Sequence, residues 1–520
     1  MMRDEPSARV DESCDSHDRR GRRDSNDAPE RAGGDGSEKR PLWKRWWVVV
    51  LVVAHLAGAA STLPALMSTR TPQGTVAWIV SLNTLPVLAV PAYWLFGRSR
   101  FEGYVENRRV GNAEVEDVLA GDLEALLRRA DRPFDSLSPG DPDPDRALEH
   151  LAPLPFFGSH AVELLIDGHD TFDHMLEGIA SAQTHVLAQF FIFRDDALGR
   201  RVGEALAERA RAGVEAYLLY DAVGSPDLSK EFIGGLRTAG VNVAPFESAK
   251  GSRGMRQYQL RNHRKSVVVD GGRAWIGGHN VGVEYLGEDP ERGPWRDTHL
   301  AITGAAALAL QLAFVQDWRW ATDETIDLNW DPPASPSGAR RVMIVPSGPA
   351  DEVETASLML QHLIHSAERR VWVATPYFVP DAGVMDALRM AALRGVQLQI
   401  LLPEQSDSFL VDQASFVYLS HLLELGATIH RYEAGFMHQK VVLIDDRVAA
   451  IGTVNVDNRS LRLNFEATAL VLGAEFAGEV ESMLSADFAD SRRLERGEID
   501  ARPWHLEVAS RIALLAAPIL

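Results

Sequence analysis

Two stretches of this 520-residue chain repeat one arrangement of reactive side chains. His263 and Lys265 are followed by Asp270 and Asn280, and His438 and Lys440 are followed by Asp445 and Asn455. Each member of the second set stands 175 residues after its counterpart (263 to 438, 280 to 455). The chain has only six lysines, at 39, 44, 230, 250, 265 and 440, so two such blocks in register are not a product of composition. In each block a short apolar run, Ser266–Val269 or Val441–Ile444, predicts a β-strand. Side chains two apart on a strand share a face, so His and Lys point into one cleft. Bringing both blocks together gives two imidazoles, two ammonium groups and two amides around one point. Lysine supplies a compact charge and three donors, asparagine adds neutral donors, and none of them needs a metal or another cofactor. Such a pocket suits a phosphoryl group whose oxygens hold or gain negative charge. One imidazole can attack phosphorus while the other protonates the leaving oxygen and then deprotonates the acceptor.

Further residues support the pocket. Asp297 in WRDTH and Glu466 in NFEA follow the two blocks, and a carboxylate of this kind can fix the tautomer of a catalytic histidine. Gly277 with Gly278, and Gly452 with Thr453, are expected to let backbone approach the phosphate. Asp270 and Asp445 complete each motif and are counted with the catalytic set, although bracing of buried cations or amides suits them better than acid–base work. The catalytic set is therefore His263, Lys265, Asp270, His438, Lys440 and Asp445, with Asn280, Asn455, Asp297 and Glu466 binding phosphate or orienting its partners.

The elements that must position these groups can be read along the chain. Residues 186–193, 199–212 and 216–220 read as strand, amphipathic helix, strand; residues 371–375, 384–394 and 397–402 repeat the order. Such alternation implies α/β layers. The segment Phe190 to Asp221 echoes Pro376 to Glu404, with Gly213-Val214 matching Gly395-Val396, so the chain carries a duplicated domain and not a solenoid. Residues 330–338, WDPPASPSG, read as the linker between the copies, and 138–145 as another linker.

The N-terminal part differs. Residues 1 to about 40 mix both charges with Gly, Ser and Pro and carry too little apolar surface to fold. Two apolar runs follow, Trp46–Met67 and 75–96, each 22 residues long, and about 20 residues span a bilayer core of roughly 30 Å. Trp46, Trp47, Trp78 and Trp94 lie near their ends, as an interfacial aromatic belt requires. Lys39, Arg40, Lys44 and Arg45 precede the first run, Arg98, Arg100, Arg108 and Arg109 follow the second, and the turn between carries only Arg70. The positive-inside rule then puts both termini in the cytoplasm. The resulting division is a tail at 1–42, a transmembrane hairpin at 43–98, a helical linker at 99–150, α/β domains at 151–330 and 340–510, and an apolar segment at 511–520. That last segment is too short to span a bilayer. It either packs as a terminal core helix, the better expectation, or dips into the interface.

Bulk composition narrows the class. The formal net charge of −20 argues against a general nucleic-acid binder. The single cysteine, Cys14, excludes a disulfide or a cysteine-based metal site within one chain.

The paired H-x-K-x4-D-x9-N blocks resemble the signature of the phospholipase D superfamily, over residues from about 151 to 510. More narrowly, residues 70–104 and the stretches FIFRDDALG, PSGP, TPYFVPD and GTVNVDNRS, together with Asn262, resemble bacterial cardiolipin synthases with an N-terminal membrane hairpin. The resemblance implies two tandem phospholipase D-like α/β sandwich domains sharing one active site, in the bacterial inner membrane with the catalytic domains cytoplasmic. It further implies joining of two phosphatidylglycerol molecules into cardiolipin and glycerol through a phosphatidyl-histidine, with His263 as nucleophile and His438 as general acid and base. A phospholipase D that uses water as acceptor shares the mechanism. A nuclease shares the phosphodiester chemistry, but the charge and the membrane hairpin disfavour it. A non-catalytic scaffold predicts loss of a histidine or lysine, and both sets are intact. Acceptor lipid and oligomeric state have no sequence signature.

Overall fold

A computed structural model of the chain describes residues 42–68, 72–97, 104, 146–247, 260–290, 293–330 and 340–520. The expected N-terminal tail, the 331–338 part of the expected linker, the 138–145 linker and nearly all of 99–145 lie outside the described residues.

The first apolar run forms one helix, Leu42–Ser68, of which Trp46–Met67 is long and apolar enough to cross a membrane. The second forms two helices, Pro72–Thr84 and Pro86–Phe96, and neither alone has that length. The break falls at Leu85 because Pro86 has no N–H to donate and sits most easily in the first turn of a new helix. Polar contacts tie these helices to the first: Trp94 donates to Ser61 Oγ at 3.0 Å and Asn83 Nδ2 to Thr62 Oγ1 at 3.1 Å. A side chain at Gly58 would meet the Leu82 carbonyl at 2.1 Å, so glycine permits that approach.

The remainder is built on one mixed sheet of sixteen strands among the described residues. At its centre Phe157–Ile166 and Arg340–Ser347 pair antiparallel. Outward from the first come Thr298–Thr303, Arg273–Gly277, Ser266–Val269, His185–Phe190, Glu215–Asp221 and Asn242–Phe246. Outward from the second come Asn464–Leu472, Val448–Gly452, Val441–Ile444, Arg370–Ala374, Gln397–Pro403 and Thr428–Tyr432, then the short edge strand Ser491–Arg493. The two lists run through corresponding elements. Alternate strand residues face opposite layers. Leu187, Leu219, Val268, Leu401 and Leu443 share one core beneath the helices Ala307–Thr322 and Ala474–Ala489. Val186, Leu218 and Val267 face a second core under Asp167–Ala180 and Ala197–Arg211; Val373, Ile400 and Val442 face a third under Thr355–Ser366 and Ala382–Leu393.

The helices end where the sequence says they should. Asp196 and Asp381 cap Ala197–Arg211 and Ala382–Leu393 by accepting from Gly199 N and Val384 N. The matched glycines Gly213 and Gly395 follow these helices with φ of 88° and 81°, which costs glycine little and a residue with Cβ more. The C-terminal segment is a helix, Trp504–Leu515, but not a core helix: Trp504 and Leu515 are 76 and 82% exposed.

Candidate active site

Each His-x-Lys segment enters the sheet through a short parallel pairing with the other half of the chain. Arg261–Asn262 pairs with Asn464 and Phe465, and the His263 N–H donates to the Phe465 carbonyl at 2.9 Å. Phe436–Met437 pairs with Trp295 and Arg296, and the His438 N–H donates to the Arg296 carbonyl at 2.8 Å. The residue after each bridging partner is a carboxylate, so the pairing delivers Glu466 to His263 and Asp297 to His438. His263 Nδ1 lies 2.9 Å from Glu466 and His438 Nδ1 lies 2.8 Å from Asp297. Both carboxylates are fully buried. A carboxylate on Nδ1 fixes the proton there and leaves Nε2 as the reactive nitrogen.

Lys265 and Lys440, buried two residues further on, donate back to the carbonyls of His263 and His438 at 2.6 and 2.5 Å. The two sets are electrostatically one cluster. The Lys440 charge bears on both His263 and Lys265, and Glu466 and Asp297 bear on both lysines. Burial pulls the lysines down to about 7 and about 8, against the attraction of the carboxylates. Burial, with Lys265 and Lys440 opposing Glu466, pulls His263 down to about 4, so its imidazole is neutral near pH 7. Glu466 is held below the usual carboxylate range: burial acts to raise it, but His263 and Lys265 win.

Asp270 and Asp445 do not join this cluster. They stand at the far ends of Ser266–Val269 and Val441–Ile444, about four strand residues or roughly 13 Å away. Asp270 accepts from the N–H groups of Gln183, Thr184 and His185, and Asp445 from those of Glu368, Arg369 and Arg370. Both have φ of 51°, a conformation that aspartate tolerates in turns. Their counting with the catalytic set is therefore corrected: each clamps the start of a neighbouring strand.

Two other expectations change. Gly278 makes room for a side chain and not for phosphate, because a Cβ there would meet Asp297 Oδ1 at 2.0 Å. Gly452 likewise clears the Ala467 carbonyl on the adjacent strand. Asn280 is tied up structurally, accepting from Ile192 N at 3.0 Å and donating to the Tyr285 hydroxyl at 2.7 Å. Asn455 bonds the buried Asp457, and its amide oxygen has no partner among the described residues.

Several groups around the site escaped the sequence reading. Phe191 lies 5.0 Å from the His263 ring and 5.5 Å from Lys265 Nζ, while Trp295 and Phe436 flank His438. Arg264 donates to Asp317 at 2.6 Å, and Gln189, Asn262 and Tyr104 converge on the same carboxylate. Asp487 takes the same place in the second half, accepting from Gln439 and from both Nε and Nη2 of Arg296. One signal was available: each is an acidic residue in a helix that buries mainly apolar side chains, 20 or 21 residues after Asp297 or Glu466 (297 to 317, 466 to 487). Beside His438 a cavity of about 400 Å³ is lined by Glu404, Asp407, Glu433 and Phe436, and the Tyr377 hydroxyl donates to Asp407 at 2.9 Å.

Residues 360–488 match the family model described as "Cardiolipin synthase, PLD-like domain". Cardiolipin synthase A of Pseudomonas aeruginosa (strain LESB58) is 43% identical over 498 residues, covering 94% of this chain and 99% of that protein. Cardiolipin synthase A of Pseudomonas fluorescens (strain Pf-5) is 41% identical over 478 residues, 91% of this chain and 98% of that one. Among solved structures, phosphatidylserine synthase of Haemophilus influenzae superposes with a TM-score of 0.58 at 15% identity, over 73% of this chain and 100% of that one, a likeness of fold.

Proposed function

The chain belongs to the cardiolipin synthases, phosphatidyltransferases of the phospholipase D superfamily, and we propose that it transfers a phosphatidyl group from one phosphatidylglycerol to another, giving cardiolipin and glycerol. The observation that carries this reading is the exchange of carboxylates between halves, Glu466 on His263 and Asp297 on His438. It supports one site shared by two phospholipase D-like domains, at 151–330 and 340–510, and not two separate ones.

In this reading Nε2 of neutral His263 attacks the phosphorus of the donor lipid. His438, charged and stabilised by Asp297, gives its Nε2 proton to the departing glycerol oxygen as the P–O bond breaks. The phosphatidyl group is then held on His263. A hydroxyl of the second phosphatidylglycerol gives its proton to His438 and attacks phosphorus, the P–N bond breaks, and both histidines return to their starting states. Lys265 and Lys440 face the non-bridging oxygens. Their lowered pKa values make them responsive, since an arriving anion raises both and secures their charge where it is needed.

The membrane arrangement belongs to the same proposal. Leu42–Ser68 and the pair Pro72–Thr84 and Pro86–Phe96 form a hairpin with both termini and the catalytic halves on the cytoplasmic side of the bacterial inner membrane. The polar contacts of Ser61 and Thr62 support it, and the flanking cations set its direction. The hairpin keeps the site beside lipid substrates that do not leave the bilayer.

The test is product analysis. Full-length protein in vesicles of head-group-labelled phosphatidylglycerol is expected to yield cardiolipin and one free glycerol per cardiolipin. Accumulation of phosphatidic acid without cardiolipin would mean that water is the acceptor.

A further inference from the structure

The helix Trp504–Leu515 buries only Ser510 and Ala513. Ala513 and Ala517 pack with Ala414 and Val379, and Val411 and Leu514 border this small core. Its other face carries Trp504, Val508, Ile512 and Leu515. At about 100° per residue these four occupy an arc of roughly 80°. They are between 46 and 82% exposed. The helix on which it packs, Phe409–Glu424, begins with Phe409 and Leu410, 64 and 50% exposed. Outside the three N-terminal helices the described residues expose twelve large apolar side chains, and these six are half of them. Concentrating exposed apolar surface on one helix pair marks a surface meant to be covered.

The ridge adjoins the site. Leu410 lies three residues after Asp407, which lines the cavity beside His438. On the inner side the Leu520 carbonyl accepts from Arg459 N at 2.8 Å, two residues beyond Asp457. Its charged surroundings are informative in a chain of net charge −20. Around the helix, exposed Arg511 stands next to Trp504 and Leu515, exposed His505 next to Ile512, and Glu507 lies one step beyond Arg511. Of the two charged side chains on this helix, Arg511 and Glu507, the one nearer the apolar arc is positive, complementary to anionic head groups.

We propose that this ridge is a docking surface that lies in the head-group and acyl boundary of an anionic phospholipid bilayer, holding the mouth of the site against the lipid. The choice of occupant rests on the lipid-substrate reading above; the catalytic assignments are not needed for it.

The test uses the full chain with Cys14→Ser and Ile512→Cys, labelled with an environment-sensitive fluorophore and reconstituted into phosphatidylglycerol-containing vesicles. Acyl-brominated lipid is expected to quench the label. Aqueous iodide is expected to be at least roughly fivefold less effective than against a label on the exposed Gln397→Cys. Leu515→Cys serves as a second position and should behave as Ile512→Cys does. Full iodide quenching with no effect of brominated lipid overturns the proposal. Shielding from both quenchers, with disulfide cross-linking between Ile512→Cys chains, makes the ridge a contact between two copies and overturns it equally. The readout is optical, so a failure of cardiolipin formation leaves it unaffected.

Discussion

Around Lys265 and around Lys440 the chain builds the same set of parts: a histidine whose Nδ1 meets a carboxylate from the other half, a lysine bonded back to the histidine carbonyl, and a buried aspartate on the covering helix. The bracing differs. Between His263 and Lys265 stands Arg264, which neutralises Asp317 directly; between His438 and Lys440 stands Gln439, and Asp487 draws its cation from Arg296 instead. Behind the shorter Asp297 lie Gly278, His279 and His299, whose counterparts are Thr453, Val454 and Thr468 (278 to 453 and 279 to 454 by 175; 299 to 468 by the 169 that separates 297 from 466). His279 and His299 face each other at 3.4 Å between Nδ1 atoms, and burial lowers both to about 3, keeping them neutral. Parts present twice mark what both histidines must do at phosphorus. Parts that differ leave room for the unlike duties proposed above, a neutral nucleophile at His263 and a proton carrier at His438.

That comparison breaks first at the histidines. His263→Ala and His438→Ala are each expected to lower cardiolipin formation by at least about a thousandfold with the fold retained, since each imidazole has a role no other group fills. Two independent sites would leave each variant with roughly half the parent rate.

Bracing sharpens the comparison at a smaller scale. Arg264→Ala strands Asp317 without its cation and is expected to cost about 3–5 kcal/mol, the usual result of removing one partner of a buried pair. Gln439→Ala leaves Asp487 with Arg296 but removes two buried hydrogen bonds, to Asp487 and from the Thr298 hydroxyl, and is expected to cost about 2 kcal/mol. Thermal midpoints of the two purified variants should therefore separate clearly. Equal shifts would mean that the two halves are braced alike.

The smallest effect concerns Asp270 and Asp445. Burial acts to raise each carboxyl, but three backbone N–H donors prevail and hold both below the usual carboxylate range. A depressed carboxylate contributes stability that is present above its unfolded pKa, near 4, and is lost as pH falls through the folded value. Asp445→Asn is expected to keep most of its activity and to flatten the fall in stability below about pH 4. An activity loss as deep as that of His438→Ala would return Asp445 to the catalytic set.

Much of this was legible in the residues. Ser266–Val269 and Val441–Ile444 are the strands that their apolar runs announced, and the matched Gly213 and Gly395 end corresponding helices. The paired spacing singled out His263 and His438, and Asp297 and Glu466, read as carboxylates that could orient them, do contact their Nδ1 atoms. Which carboxylate serves which histidine was not legible. It depends on two-residue parallel bridges between segments some 140 to 200 residues apart, too short to leave a periodic signal. The contacts of Asn280 with Ile192 and Tyr285 were not legible either, because an amide that braces its own fold reads in sequence like one that binds phosphate. The second apolar run was read as one continuous span of 22 residues, and the Leu85 backbone shows that the helix stops before Pro86. At Trp504–Leu515 the apolar pattern was correct, and the side it turns to solvent was the part that sequence could not fix.

The division of labour between the halves has one direct measurement. Full-length protein turning over phosphorus-labelled phosphatidylglycerol would be quenched in alkali, which preserves phosphohistidine linkages, then digested and mapped. The label is expected on the peptide carrying His263, and to be absent from it in His263→Ala. Label on the peptide carrying His438, with none on that of His263, would contradict the assignment of nucleophile and of proton carrier.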